Sequence, residues 1–241
     1  GEIQKAMSTS LQPEHANALA TFDHVQRTRL VFGNGMAART GELSAELGLK
    51  RILIVTDPGI VRAGHVTTVR KSLEAAGLEV IVFDQVIENP TTDCVERCRR
   101  LAERAGTDSF LGLGGGSSMD TAKGANFLLT NGGRMQDYWG VGLAKREMLP
   151  LIVIPTTAGT GSECQSFALI SDIETHNKMA CGDPKAAAKI AILDPELTLS
   201  LPRNVTACTG IDAIAHAVET AVTKKRNEKS WMFSKEAFGL L

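Results

Sequence analysis

Two groups of residues in this chain have the types and spacing that chemistry requires. The first is Gly114-Gly115-Gly116-Ser117-Ser118, inside the stretch Asp108–Asn126. Glycines allow a ligand close to the backbone, and the free N–H groups at a helix start favour an anion. A phosphate or pyrophosphate is the natural guest. Three glycines alone are also compatible with a plain turn; a strand before them and a helix after them favour phosphate. The second group is Asp212 and His216, in Gly210-Ile-Asp-Ala-Ile-Ala-His-Ala-Val-Glu219. Four residues apart on a helix, they share one face and could hold a divalent cation. They could equally be a surface pair that steadies the helix. Metal sites usually need three or four protein ligands. His15, His24, His65 and His176 are the only other histidines, and none has an evident ligand spacing.

These residues need elements to place them. Phe110 to Leu113 is a short apolar run that reads as a buried strand, and Met119 to Leu129 has helical spacing. Ser117 and Ser118 are expected to cap that helix. Arg51-Ile-Leu-Ile-Val is an apolar strand running on to Asp57, and Leu149 to Ile154 is another, ending at Pro155-Thr-Thr-Ala-Gly-Thr-Gly-Ser-Glu163. Helical patterns lie at 36–47, 66–76 and 93–105, and further strands at 22–32, 78–83 and 189–193. Phe167–Ser171 and Lys178–Cys181 flank a polar turn and read as a hairpin. Alternating strands and helices from 51 to about 155 predict a parallel sheet covered on both faces. Ligands of such sheets sit beyond the carboxyl ends of the strands, where Asp57, Gly114–Ser118 and Thr156–Ser162 all fall.

After Pro195 the pattern turns helical. A short turn is expected at 197–201, a helix at 206–223 interrupted only by Gly210, and another from Trp231 onward. The expected organisation is an α/β dinucleotide-binding domain over 1–196. The beginning of an all-helical domain, incomplete as written, follows over 197–241. Residues 1–21 are polar and unpatterned and are expected to form a loose arm.

The 241 residues carry 26 basic and 27 acidic side chains and are 43% hydrophobic. That balance supports a sizeable core and gives no reason to expect nucleic acid or an acidic membrane surface as partner. No apolar run is long enough to span a bilayer, and no secretory leader pattern is seen. Cys94, Cys98, Cys164, Cys181 and Cys208 are an odd number without CxxC spacing. They are expected to be reduced thiols in a cytoplasmic or organelle-matrix protein, the cytoplasm being the expected location.

Gly114-Gly-Gly-Ser-Ser-Met-Asp-Thr-Ala-Lys123, Pro155–Glu163 and Thr209–Glu219, taken together, resemble the iron-containing (group III) alcohol dehydrogenase family. Phe32-Gly33-Asn-Gly35 and Glu88-Asn89-Pro90 are similar to its minor signatures. The resemblance runs from about residue 22 to the end. It implies a Rossmann-like parallel-sheet domain for the dinucleotide, then an all-helical metal-binding domain. It also implies that Gly115, Gly116 and Ser117 cradle the pyrophosphate, with Asp120 just inside the helix. Thr156, Thr157 and Thr160 would contact the nucleotide, and Lys178 would lie near the cofactor ribose. Asp57 would accept hydrogen bonds from the adenosine ribose. Its charge would repel a 2′-phosphate, so NAD is favoured over NADP.

The family's metal, usually Fe(II), with Zn(II) as the other candidate, is held by an Asp, a His four residues later and two further histidines. Asp212 and His216 match the first two; the last two would fall beyond Leu241. Gln165 stands where relatives often carry a Thr. The reaction implied is reversible hydride transfer between a nicotinamide and a small alcohol, aldehyde or ketone, in a homodimer or larger assembly. Three other readings stay open: a lyase on a related scaffold, as in the dehydroquinate synthase relatives; a metal-independent enzyme like maleylacetate reductase; and a non-catalytic nucleotide-binding fragment.

Overall fold

A computed structural model of the chain describes residue 22 and residues 25–241. The arm expected over 1–21 and the start of the strand expected at 22–32 lie outside the described residues or at their margin. Two compact units are distinguished, Val25–Ala213 and one that includes Ile214–Leu241.

The larger unit runs β1 (Arg29–Phe32), α1 (Thr40–Glu46), β2 (Arg51–Val55), α2 (Pro58–Arg62), α3 (His65–Ala75), β3 (Glu79–Phe83), α4 (Thr92–Ala105), β4 (Ser109–Gly114), α5 (Gly116–Asn131), β5 (Gly140–Val141), β6 (Leu151–Pro155), β7 (Phe167–Ser171), β8 (Lys178–Gly182) and β9 (Ile190–Leu193). Six strands form one sheet in the order β1-β9-β6-β4-β2-β3, and every pairing in it is parallel. β5, β8 and β7 form a second, small sheet in which the β7–β8 hairpin is antiparallel. The doubly covered parallel sheet is therefore present as the alternation predicts.

Period-two alternation explains why the central strands are apolar throughout. Leu53, Val55, Phe110, Leu151 and Val153 face one way and pack with Cys94, Val95 and Cys98 of α4 and Met119 and Ala122 of α5. Ile52, Ile54, Leu111, Leu113, Ile152 and Ile154 face the other way, with Leu43 of α1 and Val66, Val69 and Leu73 of α3. Each such side chain contributes roughly 1.5–3 kcal/mol on burial. That outweighs the solvated ion pairs on α4, such as Arg97–Asp93 and Arg100–Glu96, which contribute about 0–1 kcal/mol each. Two-sided burial, not surface charge, holds the sheet.

Two local expectations are corrected. Ser117 and Ser118 do not cap α5. The helix starts at Gly116 with Gly115 as its N-cap and no side-chain cap, so both serines lie inside its first turn. Asp57 caps α2, accepting from the Gly59 and Ile60 amides at 2.7 and 3.2 Å. And the helix expected at 206–223 starts earlier, as α6 (Arg203–Val222), and runs unbroken through Gly210. A glycine inside a helix costs about 1 kcal/mol but does not end it.

The described part of the second unit holds the end of α6 and α7 (Glu228–Leu240). Asn227 caps α7 through the Ser230 amide at 3.0 Å, and Thr220 and Ser234 join their hydroxyls at 2.6 Å. Trp231, Met232, Phe233 and Phe238 are exposed. No helix among the described residues is long and apolar enough to cross a membrane. All five cysteines are free thiols.

Candidate functional site

The carboxyl ends of β2, β4 and β6 open into a cleft of about 930 Å³. One wall comes from the turn after β4. Gly114 has φ +142°, a value that side-chain-bearing residues rarely adopt, and a methyl there would lie 2.6 Å from Ser118 Oγ. Methyls on Gly115 and Gly116 would press on the Thr157 and Thr160 side chains at 3.3 and 3.2 Å. The glycines therefore let the start of α5 meet the threonine turn after β6. Gly112 does the same one layer lower, where a methyl would lie 3.1 Å from Met119 Cα, so α5 sits close on β4.

Beside it, after the neighbouring strand β6, is the turn Thr156–Ser162. The Thr156 amide donates to Gly114 O at 2.9 Å, which ties the two turns together. No side chain fits at Gly159, because the Thr209 carbonyl of α6 occupies that space. Asp57 and Gly59 from the β2 end, and Ser200 to Thr209 from the other side, complete the cleft. Ser118 Oγ, Thr156 Oγ1 and Thr157 Oγ1 are buried there with no hydrogen-bond partner among the described residues. An unpaired buried hydroxyl costs roughly 1–3 kcal/mol. Three of them beside free helix-start amides fit a ligand rich in acceptor oxygens. A dinucleotide pyrophosphate meets that description.

Asp57, Gly115, Gly116, Ser117, Thr156, Thr157 and Thr160 thus line one cleft. Asp57 Oδ1 serves the α2 cap, while Oδ2 is on the Gly114 side. Lys178 is not in the lining, but it is linked to it. Its Nζ donates to Asn89 Oδ1 at 3.2 Å, and the Asn89 amide donates to Ser117 Oγ at 3.3 Å. Asn89 holds φ +51° directly before Pro90, an uncommon backbone state for a non-glycine residue. Asp120 faces away from the cleft lining: Oδ1 accepts from Ser162 Oγ at 2.7 Å and Oδ2 from the Leu169 amide at 3.3 Å.

Sequence reasoning missed Lys123. Its side chain is completely buried. Nζ donates to Ser162 O, Ser162 Oγ and Phe167 O at 2.7, 2.9 and 3.0 Å. Burial lowers its pKa to about 8, against the opposing charge of Asp120, so the ammonium stays mostly protonated at neutral pH. Burial likewise raises the Asp120 carboxyl, with Lys123 opposing. The i, i+3 spacing of an acid and a base on α5 was the available signal. Glu163 is also held above its ordinary value by burial, and its Oε2 has no partner among the described residues.

Asp212 and His216 both lie on α6, four residues apart. Among the described residues no three His, Cys, Asp or Glu side chains group closely enough to hold a metal ion. The described residues therefore do not by themselves fit a complete metal centre.

An open parallel sheet with its glycine and threonine turns side by side in a cleft at the strand ends is the arrangement of nucleotide-binding α/β folds. The family model for iron-containing alcohol dehydrogenase matches residues 27–195, and the chain belongs to that family. It is 41% identical to the choline dehydrogenase of Bacillus subtilis (strain 168) over 221 residues, 90% of this chain and 54% of that protein. It is 36% identical to the NAD-dependent methanol dehydrogenase of Bacillus methanolicus, covering 88% of this chain and 55% of the relative. The crystal structure of a 1,3-propanediol oxidoreductase superposes with a TM-score of 0.86 at 32% identity, over 89% of this chain and 56% of that one. The chain spans about half the length of the curated relatives it matches.

Proposed function

We propose that this chain supplies the dinucleotide-binding part of an NAD-linked alcohol dehydrogenase. The observation that carries the reading is the cleft of unpaired hydroxyls, Ser118, Thr156 and Thr157, beside the start of α5. The α5 amides and these hydroxyls bind the pyrophosphate, and Asp57 takes the adenosine ribose. Lys178, held by Asn89, stands near the cofactor ribose. When bound, NAD supplies the hydride acceptor at nicotinamide C4, opposite a small alcohol carbon. The work of these residues is to fix that carbon-to-ring geometry and exclude water.

Asp212 and His216 are the two residues of this chain that the family resemblance assigns to Fe(II), and α6 opens the all-helical region to which they belong. The relatives' names differ in substrate, choline against methanol, at similar identity. The direct test is a fluorescence titration of the protein with NADH. Saturable binding that Thr157→Val weakens supports the reading; no binding of NADH at all sinks it.

A further inference from the structure

The saturated side of the threonine turn is as informative as its unsaturated side. On the cleft side, Thr156 and Thr157 hydroxyls have no partner among the described residues. Behind the turn, every donor of one buried ammonium is engaged. Lys123, from the second turn of α5, uses its three N–H bonds on Ser162 O, Ser162 Oγ and Phe167 O. Asp120, one helical turn earlier, takes Ser162 Oγ and the Leu169 amide, with its Oδ1 3.9 Å from Nζ. Two charges on one face of α5 thereby grip the chain from Ser162 to Leu169. The other end of the same turn touches Gly115 and Gly116.

Burying an ion pair costs several kcal/mol per charge, and apolar residues of similar size often stabilise as well or better. Packing alone therefore gives little reason for a lysine at a fully buried position. What the pair adds is direction: three acceptors and one carboxylate define a single placement of the turn relative to α5.

We propose that Lys123, together with Asp120, is the positioning residue of the dinucleotide site, clamping the turn Thr156–Ser162 to α5 from behind. The threonine hydroxyls and the α5 amides then face the pyrophosphate at a set separation before the ligand arrives. The inference rests on the dinucleotide reading above.

The test uses the full-length protein and the double variant Asp120→Asn/Lys123→Met, which removes both charges together and leaves neither stranded. Ser162→Ala, a milder cut of the same link, serves as the second variant. Thermal unfolding establishes that each is folded. Titrations then compare NADH, ADP-ribose and adenosine. In the double variant, NADH and ADP-ribose are expected to bind about tenfold more weakly, because the cradle must be ordered on binding. Adenosine, which lacks the phosphates, keeps its affinity; Ser162→Ala shifts the same two ligands in the same direction by less. Folded variants that bind NADH within about twofold of the parent overturn the proposal. So does an equal loss for adenosine, the mark of general damage. Failure of the parent itself to bind NADH overturns the dinucleotide reading, and this inference with it.

Discussion

Asp57 performs two tasks that one substitution separates. Its Oδ1 caps α2, and its charge is proposed to stand against a 2′-phosphate. Serine caps as well as aspartate but carries no charge. Asp57→Ser should therefore leave thermal stability nearly unchanged and shift the NADPH-to-NADH affinity ratio towards NADPH. Removing one like-charge contact near a protein surface corresponds to about tenfold to a hundredfold. Paired titrations with the two nucleotides measure it; an unmoved ratio rejects the role. At this scale the sequence was informative wherever a residue's type restricts its use, as with the glycines. The i, i+3 spacing of Asp120 and Lys123 was legible, but the burial of Lys123 was not, because a lysine in a helix is ordinarily a solvated surface residue.

Among the elements, the stretch after β9 decides how the cleft is bordered. Asp194 accepts from the Gly35, Ala37 and Glu196 amides, which anchors the short helical turn Pro195–Ser200 to the loop after β1. His65, at the start of α3, holds the other end of that turn, with Nε2 2.7 Å from Ser200 Oγ. Burial lowers the His65 pKa below 6.5, with the Asp194 charge partly opposing. The fold thus favours the neutral ring. Below the unfolded value the unfolded chain binds more protons, so stability from this group is complete above about pH 6.5 and is lost as pH falls. Denaturation midpoints between about pH 5 and 7.5 should drop on acidification more steeply for the parent than for His65→Gln. Parallel curves would remove His65 from the account.

The family assignment covers the α/β part most directly, since the matched region ends at residue 195, while the proposed ligands Asp212 and His216 lie on α6. His216→Ala in the full-length protein should lower Fe(II) affinity by at least about tenfold, since even supporting residues of metal sites cost that much. Binding of NADH should persist, because the cleft lining does not include His216. Equilibrium dialysis with metal analysis reads the first and fluorescence the second. Iron retained at parental affinity would reject the metal role.

The sequence by itself determined the parallel sheet, its order of alternation and the placement of three site segments at the strand ends. Each of these follows from local periodicity and from glycines whose backbone demands are local. It also carried the family resemblance, since motifs in series are read along the chain. Only the tertiary structure decided that Gly116 sits against Thr160, forty-four residues away, and that Gly159 must be bare because Thr209 lies on it. The start of α5 at Gly116, with its serines inside the first turn, was likewise decided by that packing. Lys123 shows the same limit: its meaning lies in Ser162 and Phe167, which no pattern of spacing along one helix can reach.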